Sequence, residues 1–169
     1  DYAVDLQFEN GRTVRVEDTA VNTSAAELFQ GIGMSLTSAA ENPFERVLVK
    51  KITGWAKVTP QVRQGQILEV NVPRTKYHPG ETVKAFVTYK PFRSDEAILP
   101  VDLDLPRDLP QGQYQLVISD ADRYVQDEQA TEPFRFTAEK TTDVFDVLKE
   151  MGGIRHDALY VRLIRQPDG

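Results

Sequence analysis

Between residues 44 and 137 nearly every apolar residue falls in a short alternating run, and turn residues close off each run. Candidate strands are 47–58, 67–72, 82–92, 98–105, 113–119 and 133–137. Val83, Ala85, Val87 and Tyr89 share one face, while Val101, Leu103 and Leu105 alternate with Asp102 and Asp104. Pro79-Gly80 and Pro110-Gln111-Gly112 supply turn chemistry just ahead of two of the runs. A period of two packs one side of a strand and wets the other, which is the rhythm of an antiparallel sandwich. The expected fold class is mainly β (α+β): an Ig-like antiparallel β-sandwich with two short-to-medium helices packed on the sheets.

The first segment predicts a hairpin. Val4, Leu6 and Phe8 alternate with polar residues, and Glu9-Asn10-Gly11 precedes Val14 and Val16. A two-residue Asn10-Gly11 loop would set Phe8 opposite Thr13 and Leu6 opposite Arg15. A three-residue loop with Gly11 left-handed sets Leu6 opposite Val14 and Val4 opposite Val16, gathering the apolar side chains on one face. The second register is the one expected. Ser24-Ala25-Ala26-Glu27 reads as a capping box opening a helix over about 25–40, with Ala25, Leu28, Phe29, Ile32, Leu36 and Ala39 at helical spacing. Gly31 and Gly33 inside it each cost about 1 kcal/mol against Ala, so close packing against a sheet is expected there. Asn42-Pro43 should stop the helix. Thr142 or Asp143 should cap a second helix through Val144, Val147, Leu148 and Met151, ended by Gly152-Gly153. Leu159, Val161 and Leu163 read as a last strand, and residues 120–132 as an exposed polar excursion. The expected division is a hairpin-plus-helix lobe over 1–44, continuous with the rest or separate, the sandwich over 45–140, and a closing helix and strand over 141–169.

With 169 residues and 40% apolar content, the chain is long enough to bury a core without staples. It has no cysteine, which excludes disulfides, thiolate metal sites, iron–sulfur clusters and cysteine nucleophiles. No apolar run is long enough for a transmembrane helix. No basic segment leads into an apolar one near Asp1, so no secretory leader is expected, and the start without Met suits a mature chain or an excised fragment.

The net charge of −6 is unevenly spread. Residues 1–44 are acidic, 45–94 carry ten basic and three acidic side chains, and 95–169 are acidic again. A basic middle between acidic flanks either offers a surface to an acidic partner or is neutralised within the fold. Nucleic acid is not an expected partner of so acidic a chain. Lys50, Lys51, Lys57, Arg63, Arg74, Lys76 and Lys84 outnumber Glu45, Glu69 and Glu81, the acidic residues of their own segment. These seven, with Trp55, are the candidate partner-binding residues. In a regular strand Lys51, Thr53, Trp55 and Lys57 share a face, a strip of aromatic and cations. The ordinary alternative buries Trp55 in the core, with Gly54 making a bulge that re-aims it.

Other chemistry is sparse. His78 and His156 lie in turn contexts with no second His at ligand spacing. Asp120, Asp122, Asp127 and Glu128 lack the alternation and Gly of a calcium loop, so a solvated loop is expected. Gly31-Ile32-Gly33-Met34-Ser35 has neither the Lys of a phosphate loop nor a preceding strand, and falls inside the amphipathic helix. No catalytic residue, metal or cofactor is expected.

Three stretches carry a resemblance: Asn42-Pro43-Phe44-Glu45-Arg46-Val47, Tyr77-His78-Pro79-Gly80-Glu81-Thr82-Val83, and Leu109-Pro110-Gln111-Gly112-Gln113-Tyr114. With the closing Arg155-His156-Asp157-Ala158-Leu159-Tyr160-Val161-Arg162-Leu163, their order resembles the region downstream of the peptidase domain in large bacterial envelope proteins related to the SpoIVB sporulation peptidase. Such peptidases hold their serine in a Gly-Met-Ser-Gly-Ser-Pro-type motif. Here Gly33-Met34-Ser35 continues with Leu36-Thr37, so no catalytic residue carries over. The resemblance implies a non-catalytic accessory module of a secreted or envelope-associated protein, extracytoplasmic, docking other domains of its parent chain or another protein. The alternative is a module binding glycans or envelope polymers, for which Trp55, Tyr77, Tyr124 and Tyr160 are the candidate aromatic platforms.

Overall fold

The computed structural model describes residues 1–21 and 25–167, with side chains of the first helix from Ile32 onward. In chain order the elements are β1 (Tyr2–Phe8), β2 (Thr13–Asp18), α1 (Ala25–Ala40), β3 (Val49–Ala56), β4 (Gly65–Asn71), β5 (Thr82–Pro91), β6 (Ala97–Asp104), β7 (Tyr114–Ser119), α2 (Ala121–Thr131), a 3₁₀ turn (Pro133–Phe136), α3 (Thr141–Gly152) and β8 (Tyr160–Arg165). The described residues are mainly β, with antiparallel sheets ordered β2-β1-β3, β4-β5-β6 and β7-β8. The predicted capping box begins at Ser24 and so lies outside the described residues. No described helix is long and apolar enough to cross a membrane.

The chain forms two compact units, residues 1–62 with 121–158, and 63–120 with 159–169. This division differs from boundaries after 44 and 140, because β3 pairs with β1 rather than with the strands that follow it.

In the first unit the hairpin takes the expected register, Leu6 opposite Val14 and Val4 opposite Val16. Phe8 N donates to Arg12 O across the loop, and Gly11 holds φ 81°, the left-handed backbone that glycine accepts without a side-chain clash. Placing Leu6, Phe8 and Val14 on one side lets α1 and α3 cover them. Leu6, Phe8, Val14, Ala39 and Phe145 are all essentially buried. Phe8 and Phe145 meet edge to face at 4.9 Å, and the Arg12 guanidinium lies 5.2 Å from the Phe145 ring centre. Asn42 stops α1: its amide nitrogen donates to Ala39 O and Glu45 O, while its oxygen accepts the amides of Phe44 and Glu45. Gly33 corrects an expectation, since a Cβ there would meet nothing within 4 Å. The close approach occurs at Gly152 instead, where a Cβ would lie 2.5 Å from Arg15 O.

Two further readings are corrected in this unit. Residues 121–131 are helix rather than an open excursion, buried only at Ala121. Residues 133–136 are a 3₁₀ turn rather than a strand; Pro133 begins it without needing an N–H. Arg135 ties these pieces together through Glu128, Glu132 and Glu150, the last on α3.

In the second unit Ala85, Val87 and Ile118 are buried together with Ile67, Val70, Val101, Leu116 and Val161, so β4-β5-β6 and β7-β8 share one apolar cluster. Gly80, at φ 84°, makes the turn into β5. Thr82 Oγ1 donates to Asp104 across the β5–β6 pair.

Candidate functional site

The ladder between β1 and β3 decides what β3 offers. Asp1 and Lys57 exchange both backbone hydrogen bonds. In an antiparallel ladder such pairs alternate, so Lys57, Trp55, Thr53 and Lys51 bond to β1 while Ala56, Gly54 and Ile52 point their N–H and C=O away from it. Among the described residues the order β2-β1-β3 leaves that second side unpaired.

Side chains follow the same register. Val49 lies opposite Phe8 and Ile52 opposite Leu6, with a shift between them that leaves Lys50 as the extra residue of a bulge. Both apolar residues therefore fall on the helix-covered side of the sheet, yet Val49 is 37% and Ile52 51% exposed. On the other side stand Lys51, Thr53 and Trp55, with Trp55 53% exposed. Trp55 does not fill the core, and no bulge forms at Gly54. That glycine lets the strands approach, since a Cβ would meet Ala3 O at 2.9 Å. Every residue of β3 is exposed, although the strand is hydrogen-bonded along one edge.

The structure thus brings Lys50, Lys51, Trp55 and Lys57 together along β3. Arg63, Arg74, Lys76 and Lys84 belong to the second unit. Arg74 is engaged there: it pairs with Glu81, donates to Lys76 O and lies 4.4 Å from the Tyr77 ring centre. The His78 amide, foremost, and Arg74 hold the Glu81 carboxyl below its ordinary range. Lys84 stands opposite Asp102 in register. Among the described residues Lys50, Lys51, Lys57, Arg63, Lys76 and Lys84 form no salt bridge. Of the four candidate aromatic platforms only Trp55 is exposed; Tyr77, Tyr124 and Tyr160 are half-buried.

A polar cluster that the sequence does not announce lies in the first unit. Asp5, Arg15, Glu17, Arg155 and Asp157 form a chain of alternating charges, with contacts of 2.7–3.1 Å. His156 places Nδ1 2.5 Å from Asp18 and Nε2 3.3 Å from Asp122. Burial opposes its charge, but the two carboxylates outweigh that and raise its pKa. Asp157, held chiefly by Arg155, falls to about 2. Each charge has an opposite neighbour, so the cluster braces the 155–157 turn against the end of β2; Arg15, Glu17 and Arg155 also line a surface cavity of about 420 Å³ with Thr13, Lys149 and Gly152. His156 does sit in an exposed turn, and there it also contacts two carboxylates. Its partners lie 138 and 34 residues away, which is why spacing along the chain gave no sign of them. Asp127 and Glu128 stand on α2, Asp127 paired with Arg123 of the same helix and Glu128 with Arg135 of the 3₁₀ turn, so these acids are helix residues rather than a solvated loop. Among the described residues no group of His, Asp and Glu could hold a metal ion.

No family model matches this chain, and neither does any curated protein or solved structure.

Proposed function

We propose that this chain is a non-catalytic accessory module of a larger secreted or envelope-associated bacterial protein, and that it docks another domain or protein. The observation that carries the reading is β3: a strand exposed on both faces, unpaired along one edge, and flanked by cations without salt-bridge partners among the described residues. Apolar surface left open in this way is the ordinary mark of an interaction site. We further read the second unit as an Ig-like sandwich. Its two sheets share one cluster, and Tyr114 Oη donates to Pro110 O four residues upstream, as the conserved tyrosine of such folds does. Glycan binding is the weaker alternative, because a flat platform needs clustered exposed aromatics and Trp55 stands without a second exposed one among the four candidates. The test is binding between this chain and purified segments of its parent protein, titrated from about 50 mM to about 500 mM salt. Binding that weakens with salt supports docking through the basic strands. Binding that holds unchanged across that range refutes the reading.

A further inference from the structure

Resting on that docking role, we infer that the free edge of β3 takes up an extended acidic segment of a separate protein, which adds as a fourth strand to the β2-β1-β3 sheet. Three observations converge on it. First, the outward N–H and C=O groups of Ile52, Gly54 and Ala56 have no ladder partner among the described residues, and an edge in that state is a template for another strand. Second, both faces beside the edge carry uncovered apolar side chains: Val49 and Ile52 on one, and Trp55 among Lys51 and Thr53 on the other. Edges are commonly protected with lysines and a bulge, and Lys50 and Lys51 have that form. Protection of that kind needs charge alone; it gives no reason to leave Ile52 and Trp55 half in water beside it. Third, the charge chooses the occupant. Residues 44–58 hold four basic side chains and one acidic one, so two copies of β3 side by side would bring positive segments together. An acidic strand gains from the same lysines, in on-rate and register above all.

The ladder also says how such a strand would sit. Its backbone would bond at every second β3 residue, at Ile52, Gly54 and Ala56, and its alternate side chains would extend the Ile52 and Trp55 faces.

The experiment uses the whole chain and a synthetic peptide of about ten residues alternating valine with glutamate, compared with valine–glutamine and valine–lysine peptides. Expected are slowed amide exchange at Ile52, Gly54 and Ala56 on adding the glutamate peptide, and binding at least about tenfold tighter than for the glutamine peptide at low salt, the ratio shrinking as salt rises. Ile52→Pro removes one outward donor without touching the β1 ladder and should abolish binding. Should that variant misfold, the Lys50→Glu/Lys51→Glu chain provides the second reading: the glutamate peptide should weaken about tenfold and the glutamine peptide should not. Equal binding of glutamate and glutamine peptides, protection elsewhere, or no binding at all overturns the inference. So does slow exchange at those three amides without peptide together with self-association, which would make a second copy the occupant. If parent segments bind the Ile52→Pro chain as tightly as the unaltered one, docking stands and this edge is not its site.

Discussion

Replacing Gly152 with alanine puts a methyl group 2.5 Å from the Arg15 carbonyl oxygen and 3.3 Å from Val16 Cγ2. Ordinary contact begins at 3.4 Å, so the end of α3 must retreat from β2 by about 0.9 Å. The obstructing atom belongs to strand backbone, and no side chain can rotate to make room. Overpacking of this kind costs about 1–3 kcal/mol, and the helix regains up to about 1 kcal/mol from the better propensity of alanine. A net loss of about 1–2 kcal/mol is expected, or a fall of about 5–10 °C in the midpoint of a unit this size. Gly33→Ala provides the internal contrast: with nothing within 4 Å of the added methyl, propensity acts alone and stabilises by about 0.5–1 kcal/mol. Every described α-helix lies in the first unit, so the helical dichroism band followed through a urea titration reports on that unit. A Gly152→Ala chain as stable as the parent, or more so, would refute the close approach of α3 to β2. A destabilised Gly33→Ala would refute the open space around α1.

Other outcomes follow from the same unit. Phe145→Ala removes a fully buried ring and half of the Phe8 pair, and urea unfolding should show a loss of about 3–5 kcal/mol. Gly11→Ala meets no steric neighbour but forces a methyl onto a left-handed backbone, so it should cost about 1 kcal/mol, with the Leu6–Val14 pairing still visible in cross-strand NOEs. His156 has a raised folded pKa, so its contribution is complete below the imidazole's unfolded value and disappears as pH rises through the folded one. The stability difference between parent and His156→Ala should therefore shrink from mildly acidic to alkaline pH, and its half-exposed setting keeps it below about 1 kcal/mol; a difference that grows with pH would contradict the bracing role. Asp157 runs the other way, its contribution present above the ordinary carboxyl value and lost as pH falls through about 2, so Asp157→Asn should lose most of its effect in strong acid.

Local signals were readable where one interaction decides the outcome. The hairpin register follows from Val4, Leu6, Val14 and Val16 having to share a face, and both α1 and α3 announce themselves by apolar spacing. The polar helix 121–131 was not readable, because it buries little beyond Ala121 and is held by pairs such as Arg123–Asp127 that its composition does not distinguish from a loop. Phe134-Arg135-Phe136 alternates like a strand, and only Pro133 hints at the 3₁₀ turn. In the candidate site, the sequence supplied Lys50, Lys51, Trp55 and Lys57 but not their setting. Alternation implies one buried side, and β3 lacks it: among the described residues the core cluster takes side chains from β1 and β2 and none from β3. Its open edge depends on pairing with β1, some fifty residues earlier in the chain.

The backbone passes from one unit to the other after residues 62, 120 and 158. A ribosome delivering this chain therefore completes neither unit early. The first waits for α3 and the 155–157 turn, and the second waits for β8 at Tyr160–Arg165, so the two become whole within a few residues of each other. Stepwise folding of one unit while the other is still being made, the usual safeguard of larger chains, is closed to it. Until the last strand emerges, β7 lacks β8 and the apolar cluster around Val87 lacks Val161. A chain interrupted before β8 would leave the second unit without an edge of its cluster, and proteases and chaperones would meet two half-built units rather than one finished and one missing.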